Sequence, residues 1–474
     1  MLRPEFNYLS ALKYVRTNNT QKNCRKIKTV FLLLNFRMML LILVPKITNR
    51  LRYTMQLLFS RLLGLDLNIT VNPVEFESYD SPKLSYGVPV DDNYLFFASN
   101  GLLFESVIKA RELRHFNYEG GLVFFPTLNK NSALPFDLFA AVFYLVSRFE
   151  EYLPHKRDNH QRFLAAGSDA YQQGYLHKPL VNMWSFKLKD ILFKWFPGLK
   201  ISTPVYKFIP TIDVDAAYAY KNKGLTRAFG GILRAIQNNN YDEARRRIRV
   251  LARIEHDPFD TFELQMQLQK KYNYRPIYFI LLADYAPNDK NIPYNNRYFQ
   301  NLIRFLADYA DIGIHPSYAS SLQPSLMVME TARLSKILKV EIDRSRQHFL
   351  KLTLPVTYRN LINNDITHDY TMGYAEVAGF RASICTPFPF FDLDQDLATN
   401  LMVHPFAVMD GTLCEYMKLT TEQAIKTICE LIDEVRKVGG TFIPLWHNST
   451  LNNEGEYKGW LDVYKKMVEE GVRK

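Results

Sequence analysis

From about residue 205 onward, short apolar runs alternate with amphipathic stretches, and no other feature of the sequence constrains the fold as strongly. The apolar runs predict strands at 205–212, 276–283, 311–315, 379–383, 401–409 and 441–445. The amphipathic stretches predict helices at 259–272, 297–309, 327–352, 421–438 and 460–470. Strands and helices that alternate at this spacing form a mostly parallel sheet, closed as a barrel or open, with the helices packed outside it.

The region before residue 200 has a different pattern. A buried strand is expected at 39–44, and apolar residues then recur at helical spacing from 47 to 63, where Thr48 or Asn49 can cap the helix and Gly64 can end it. Further strands are expected at 94–98 and 121–125, and a helix at 135–152. We find no catalytic pattern in this region.

A polar turn near residue 203 separates these two patterns. We therefore expect a basic, disordered extension at 1–37, a smaller α/β domain of unknown role at 38–200, and a third region at 205–474. With 474 residues of which 47% are hydrophobic, the chain is long enough to bury more than one core.

The net charge of +11 comes from the start of the chain. Residues 1–61 hold twelve Lys or Arg and a single acid, Glu5, while the charges of the remaining residues cancel. A nucleic-acid-binding domain would need basic residues clustered on its folded body, so we expect no nucleic-acid partner. The basic segment could instead contact a membrane.

The four cysteines show neither metal-ligand spacing nor a paired framework, which favours a reducing compartment. The apolar stretch at 29–45 is interrupted by Arg37 and is shorter than the roughly 20 residues that a membrane span needs. We therefore expect a cytoplasmic protein, with a peripheral position at the inner face of a membrane as an option. The oligomeric state stays open.

Polar residues follow four of the predicted strands. Asp213 and Asp215 alternate along the end of the first strand, so both carboxylates point to one face. His315, Arg381 and His447 lie in or at the end of three others. Because α/β barrels collect catalytic groups at the carboxyl ends of their strands, these residues are candidates for a single site.

These polar residues lie in short motifs whose order along the chain resembles that of the polysaccharide deacetylase family, the carbohydrate esterases of family four with the NodB-homology domain. The resemblance covers roughly residues 205–450. The pieces that carry the resemblance are Thr-Ile-Asp-Val-Asp at 211–215, His-Pro-Ser at 315–317, Arg381 followed by Cys-Thr-Pro-Phe at 385–388, and Trp-His at 446–447. The resemblance implies a distorted (β/α) barrel. The stretch at 403–413 and the extra amino-terminal region indicate a divergent branch that is found beside bacterial surface-polysaccharide enzymes.

The resemblance also implies roles for these residues. Asp213 would be the catalytic base and Arg381 would orient it by pairing with its carboxylate. Asp215 and His315 would bind a divalent metal, most simply zinc, and His447 would be the general acid. The implied reaction is hydrolysis of an N-acetyl group, or an O-acetyl group, on a carbohydrate.

One position departs from the family pattern. Where the family has a second metal-binding histidine, four residues after His315, this chain has Ala319. We assign His348 as the replacement ligand, although it could also be a structural histidine on a helix. His404 is the rival ligand or a substrate contact.

Two further residues, Asp410 and Trp446, are also expected to contact substrate. The gap at Ala319 leaves a second interpretation open, in which the barrel is inactive and only binds glycan. A third interpretation takes Asp213 and Asp215 as the metal-binding acid pair of a glycosyltransferase that uses nucleotide sugars. It lacks a glycine-rich phosphate loop and does not explain His447.

Overall fold

The computed structural model describes residues 39–473 and contains two large sheets, one on each side of residue 200. The extension expected at 1–37 lies outside the described residues. No helix within 39–473 combines the length and the apolar character that crossing a membrane would require.

The first sheet has four parallel strands in the order β2-β1-β3-β4. They are β1 Leu40–Leu43, β2 Leu67–Thr70, β3 Lys83–Tyr86 and β4 Leu95–Phe97. The helix expected after the first strand is confirmed: it begins at Asn49, where the Thr48 hydroxyl accepts a hydrogen bond from the Leu51 amide, and it continues as a wider π-helical turn to Leu62. Gly64 follows with a φ of 65°, a conformation that favours glycine.

The rest of the amino-terminal region covers this sheet and joins it to the second one. A short antiparallel hairpin, β5 Phe116–Tyr118 and β6 Gly121–Val123, precedes helices at Leu138–Val146, Asp169–Gln172 and Leu180–Trp195. The Tyr53 hydroxyl donates to the carbonyl of Pro389, and its ring lies 5.0 Å from that of Phe391. One cluster of buried apolar side chains therefore runs through both regions.

The second sheet has nine strands in the order β13-β14-β12-β11-β10-β9-β8-β17-β15. All of its pairs are parallel except β13 with β14. A separate pair is formed by β7 Lys207–Phe208 and β16 Thr441–Phe442. The strands of the large sheet are β8 Thr211–Val214, β9 Ile277–Ile280, β10 Asp311–Ile314, β11 Arg344–Ser345, β12 His368–Asp369, β13 Phe388–Asp392, β14 Leu397–Val403, β15 Val408–Met409 and β17 Pro444–His447.

The connections between these strands are largely helical, as the alternation of the sequence predicts. The bounds of the connecting helices are Leu225–Gln237, Tyr241–Leu251, Phe262–Tyr272, Arg297–Tyr309, Pro324–Leu338, Val356–Ile362 and Thr421–Lys437, and a last helix, Trp460–Val472, follows β17. No ladder joins the two ends of the sheet among the described strands, so a closed barrel is not observed. Only residues 404–407 separate β14 from β15, and the amides of Phe406 and Ala407 donate to the carbonyls of Met372 and Ile443.

Two of the expected elements are wrong. The helix expected at 327–352 ends at Leu338, where Lys339 turns into the left-handed region with φ 60°. The chain then forms β11, so His348 lies in a short turn after a strand and not near the end of a helix. The strand expected at 379–383 is a set of turns, and Arg381 therefore lies on no strand.

Candidate active site

The two acids of β8 lie side by side in different surroundings. The side chain of Asp213 is 2% exposed, whereas that of Asp215, one residue beyond the strand, is 38% exposed. Ile212 and Val214 alternate with them and are buried in the core. The period of two along the strand therefore places both carboxylates on one face, as the sequence predicts.

Asp215, His315 and His348 form a group that could hold a metal ion, since one ligand atom of each lies within 4.8 Å of the others. His315 Nε2 lies 3.2 Å from Asp215 Oδ1, and His348 Nε2 lies 3.6 Å from Asp215 Oδ2. His348, which the sequence suggested as the replacement for a histidine absent at position 319, thus belongs to this group. One carboxylate and two imidazoles are a ligand set that catalytic zinc sites use, with a further position left open.

The imidazoles of His315 and His348 are each held by a hydrogen bond from Nδ1. Nδ1 of His315 donates to the carbonyl of Arg346 at 2.6 Å, and Nδ1 of His348 donates to Asp289 at 2.8 Å. These bonds leave each Nε2 free as a ligand, an arrangement typical of metal-binding histidines. Asp215 Oδ1 is buried and makes no hydrogen bond among the described residues, so a cation fits the donor set.

Neighbouring charges shift the pKa values of Asp215 and His348. Burial opposes the ionised form of Asp215, but the neighbouring His348 and His315 outweigh it and hold the pKa of that carboxyl well below its usual range. Burial lowers the pKa of His348, yet Asp215 and Asp289 raise it to about 9. A dication would replace the proton on His348 as the partner of Asp215.

Asp213 is oriented by Arg346, which the sequence analysis did not identify. Nη1 of Arg346 donates to Asp213 Oδ1 at 2.8 Å, and its Nε donates to the carbonyl of Tyr370 at 3.0 Å. The guanidinium is fully buried and lies 4.5 Å from the ring centroid of Phe279. Gly313 makes room for that ring, because a Cβ there would lie 2.6 Å from a ring carbon.

The expected pairing of Arg381 with Asp213 is wrong. Nε and Nη2 of Arg381 donate to the two carboxylate oxygens of Glu151 at 2.9 and 2.6 Å, and its Nη1 donates to the carbonyl of Gly373. Arg381 is 2% exposed and does not line the site. Its carboxylate partner comes from the amino-terminal region, which no local pattern around Arg381 reveals.

His447 lies on the other side of the metal group. Its Nε2 is 3.8 Å from Asp215 Oδ2, and its Nδ1 donates to Asp410 Oδ1 at 2.8 Å. Asp410 also accepts hydrogen bonds from the His447 amide and the Thr450 hydroxyl. Burial lowers the pKa of His447, but Asp410 and then Asp215 raise it to about 10, which keeps the imidazole protonated. Asp410, expected to contact substrate, instead lies fully buried behind His447.

Two other expected site residues lie elsewhere. Trp446 alternates with His447 along β17, so it points to the opposite face and packs in the core 5.5 Å from the ring of Tyr464. His404 stacks on Tyr370 at 4.3 Å, and its Nε2 lies 2.9 Å from His368 Nδ1. Neither Trp446 nor His404 lines the cavity, and His404 is not in the metal group.

A cavity of about 250 Å³ opens beside the metal group. Besides the acids and histidines it is lined by Gln347, Phe349, Leu350, Met409, Gly411, Glu415, Tyr416, Leu445, Ser449, Thr450, Tyr457 and Arg162. Arg162 comes from the amino-terminal region, and Asp158, the carbonyl of Phe349 and the hydroxyl of Tyr416 hold it in place. No sequence pattern indicated this residue.

The sequence did contain a signal for Arg346. It precedes His348 by two residues, so in an extended segment after β11 both side chains lie on one face. The helix expected at 327–352 obscured that alternation. Asp289 gave no such signal, because it lies in an irregular segment after β9.

Comparisons with known proteins cover parts of the chain. Residues 40–197 match a model described as "Family of unknown function (DUF7033)". No curated protein matches the sequence.

Solved structures similar to this one carry the name polysaccharide deacetylase. One from Mycobacterium smegmatis has 13% identity and a TM-score of 0.36, and the match covers 57% of this chain and 84% of that chain. One from Pseudomonas aeruginosa PAO1 has 9% identity and a TM-score of 0.35, with 56% and 84% covered. One from Bacillus cereus has 9% identity and a TM-score of 0.25, with 56% and 87% covered.

Proposed function

We propose that this protein removes acetyl groups from a carbohydrate with the help of a bound divalent metal, most simply zinc. One observation carries the proposal: a three-residue ligand group lies between a buried carboxylate held by an arginine and a histidine held by an aspartate. These are the parts that hydrolysis of an amide or ester requires, namely a base, a Lewis acid and a general acid.

Asp215, His315 and His348 would hold the metal, which when bound polarises a carbonyl oxygen and lowers the pKa of a water molecule. Asp213 takes a proton from the attacking water. Arg346 keeps the Asp213 carboxylate in one orientation, so its free oxygen faces the cavity. The fixed orientation spares reorganisation during the reaction.

His447 acts on the leaving group. The buried Asp410 carboxylate accepts a hydrogen bond from its Nδ1 and favours the protonated imidazole, while its Nε2 lies 3.8 Å from Asp215 Oδ2. As the acyl carbon releases the sugar, His447 gives its proton to the departing amine of an N-acetyl group or the departing oxygen of an O-acetyl group. Asp410 compensates the imidazolium charge from behind.

The cavity lining suits a sugar. Tyr416 and Tyr457 line it with aromatic side chains, and Arg162 and Glu415 line it with polar side chains that can bond hydroxyls. The substrate we propose is a glycan of bacterial surface-polysaccharide metabolism, acted on in the cytoplasm. Saturable binding of a nucleotide sugar with manganese, without deacetylation, would support the glycosyltransferase interpretation instead.

The experiment measures acetate released from N-acetylated and O-acetylated oligosaccharides by the zinc-loaded protein and by Asp213→Asn. We expect release by the wild type only, with about one metal per chain in both proteins. Metal binding without acetate release from any substrate by the wild type would contradict a deacetylase. Absence of stoichiometric metal after loading with zinc, manganese or cobalt would favour an inactive, glycan-binding protein.

A further inference from the structure

An amphipathic pair of helices, which we call the basic hairpin, follows β8 and contributes nothing to the cavity. It consists of the helices Leu225–Gln237 and Tyr241–Leu251 and the turn between them. Seven of the 29 exposed large hydrophobic side chains found in the described part of the chain fall within residues 225–251. This concentration in the 27 residues of the hairpin sets it apart from the ordinary scatter of apolar residues on a protein surface.

The two helices pack through small residues. On the first helix Ala228, Gly231 and Ala235 recur on one face, and Ala235 is buried, as is Ala244 on the second. A Cβ at Gly231 would lie 2.3 Å from Nη1 of Arg247. Close packing between the helices therefore uses these small side chains and leaves the large apolar ones for another surface.

The large apolar residues form a stripe on each helix. Leu225, Phe229 and Leu233 are 76%, 68% and 57% exposed and recur every four residues. Tyr241 and Ile248 on the second helix are 55% and 52% exposed. The short turn makes the helices antiparallel, and on each helix the stripe is rotated in the same sense, by about a quarter to a third of a turn, from the face that packs on the other helix. The two stripes therefore occupy the same side of the hairpin.

Basic residues border this apolar side. Residues 221–255 contain nine Lys or Arg and three Asp or Glu, although the charges of 62–474 as a whole cancel. Arg245 and Arg249 are 78% and 60% exposed and flank Ile248 around the second helix, at about 60° and 100° from it. Their acidic neighbours Asp242 and Glu255 lie 3.7 and 3.4 Å away and leave the segment positive overall.

We propose that the basic hairpin docks on the surface of a bilayer that contains anionic lipid. An exposed apolar stripe flanked by arginines inserts into the interface between headgroups and acyl chains, and each basic residue gains about 1 kcal/mol from anionic headgroups. A second copy fits less well, because pairing two such faces would bring two positive surfaces together. Nucleic acid would leave the apolar stripe uncovered.

The hairpin is tied to the rim of the site. Arg227 donates to the carbonyls of Lys290 and Asn291, both at 2.8 Å. The preceding residue, Asp289, holds His348. Docking would therefore keep the catalytic end of the sheet near the bilayer. The docking itself does not depend on the proposed deacetylation.

The test is sedimentation of the full-length protein with vesicles of phosphatidylcholine, alone or with phosphatidylglycerol, at physiological salt. We expect binding to the mixed vesicles only. Phe229→Ser with Leu233→Ser should weaken this binding about tenfold or more, and Arg245→Ser with Arg249→Ser by a similar factor. The basic segment at 1–61 is present in every variant, so such a loss reports on the hairpin.

Matched controls are Leu128→Ser with Leu322→Ser, which are 98% and 80% exposed elsewhere. These should bind as the wild type does, and far-UV circular dichroism should show all variants folded. Equal binding by the Phe229→Ser, Leu233→Ser variant would overturn the proposal, as would an equal loss in the controls. So would a wild-type dimer in light scattering that this variant abolishes while vesicle binding is unchanged.

Discussion

Two buried arginines pair with buried carboxylates in different regions of the molecule. Arg346 pairs with Asp213 at the carboxyl end of the large sheet, and Arg381 pairs with Glu151 where the amino-terminal region meets that sheet. In both pairs each side chain is at most 2% exposed. By residue type, distance and burial they are nearly alike.

The two pairs differ in how completely their polar atoms are hydrogen-bonded. Both oxygens of Glu151 accept from Arg381, and Arg148 adds a further bond at 2.7 Å, so the network closes on itself. At the other pair, Nη2 of Arg346 is buried and has no hydrogen-bond partner within residues 39–473, and Oδ2 of Asp213 lies 3.7 Å from His315 Nε2 beside the cavity. Incomplete satisfaction next to a cavity therefore marks the site, whereas a complete ion-pair network marks a structural joint.

The sharpest test of this contrast is Asp213→Asn. We expect acetate release to fall about 10²- to 10⁴-fold, because the amide cannot accept the proton of the attacking water. Metal content should stay the same, since Asp213 is not in the ligand group. Steady-state kinetics and metal analysis measure both. Turnover within a few fold of the wild type would refute the assignment of the base.

Arg381→Met should act on stability. Removing one partner leaves the buried Glu151 carboxylate with less compensation, so the free energy of unfolding should fall by about 3–5 kcal/mol. Chemical denaturation monitored by circular dichroism measures this. Metal content should not change. A variant as stable as the wild type but inactive would place Arg381 in the chemistry after all.

The Arg381–Glu151 ion pair should contribute less to the free energy of unfolding in acid. Burial raises the pKa of Glu151, but Arg381 and Arg148 outweigh it and lower the pKa to about 2 from its usual 4.5. A carboxyl whose pKa is lower in the folded state stabilises the fold above the unfolded pKa, and this contribution is lost as the pH falls toward 2. The stability difference between wild type and Arg381→Met should therefore shrink below about pH 4.5. A constant difference down to pH 2.5 would contradict the ion-pair explanation.

Asp289→Asn should weaken metal binding about 10- to 100-fold, because the amide orients His348 less firmly than the carboxylate does. Competition with a chelating dye measures the affinity. His404→Ala is the matched control: its side chain bonds His368 away from the metal group, so its affinity should equal that of the wild type. A larger loss in His404→Ala than in Asp289→Asn would revive His404 as the third ligand.

The smallest effect is expected for Arg162→Ala. This arginine reaches the cavity from the amino-terminal region, so its loss should raise KM about fivefold, in proportion to one hydrogen bond to the sugar. The value of kcat should change less. An unchanged KM for every substrate would show that Arg162 only holds Tyr416 and Phe349 in place.

Local pattern accounts for a definite part of this site. The period of two along β8 placed Asp213 and Asp215 on one face, and the strand ends at His315 and His447 brought two more groups to the same edge. The same period excludes Trp446 from the cavity. These positions follow from strand geometry, which a few neighbouring residues specify.

The partners of these residues were decided by tertiary structure. His348 completes the metal group only because the helix ends at Leu338 and a short strand returns the chain to the sheet edge. Arg346 and not Arg381 binds Asp213, whereas Arg381 binds Glu151, 230 positions away in sequence. Periodicity fixes the face on which a side chain lies, but its partner depends on contacts across the whole chain, which local sequence does not encode.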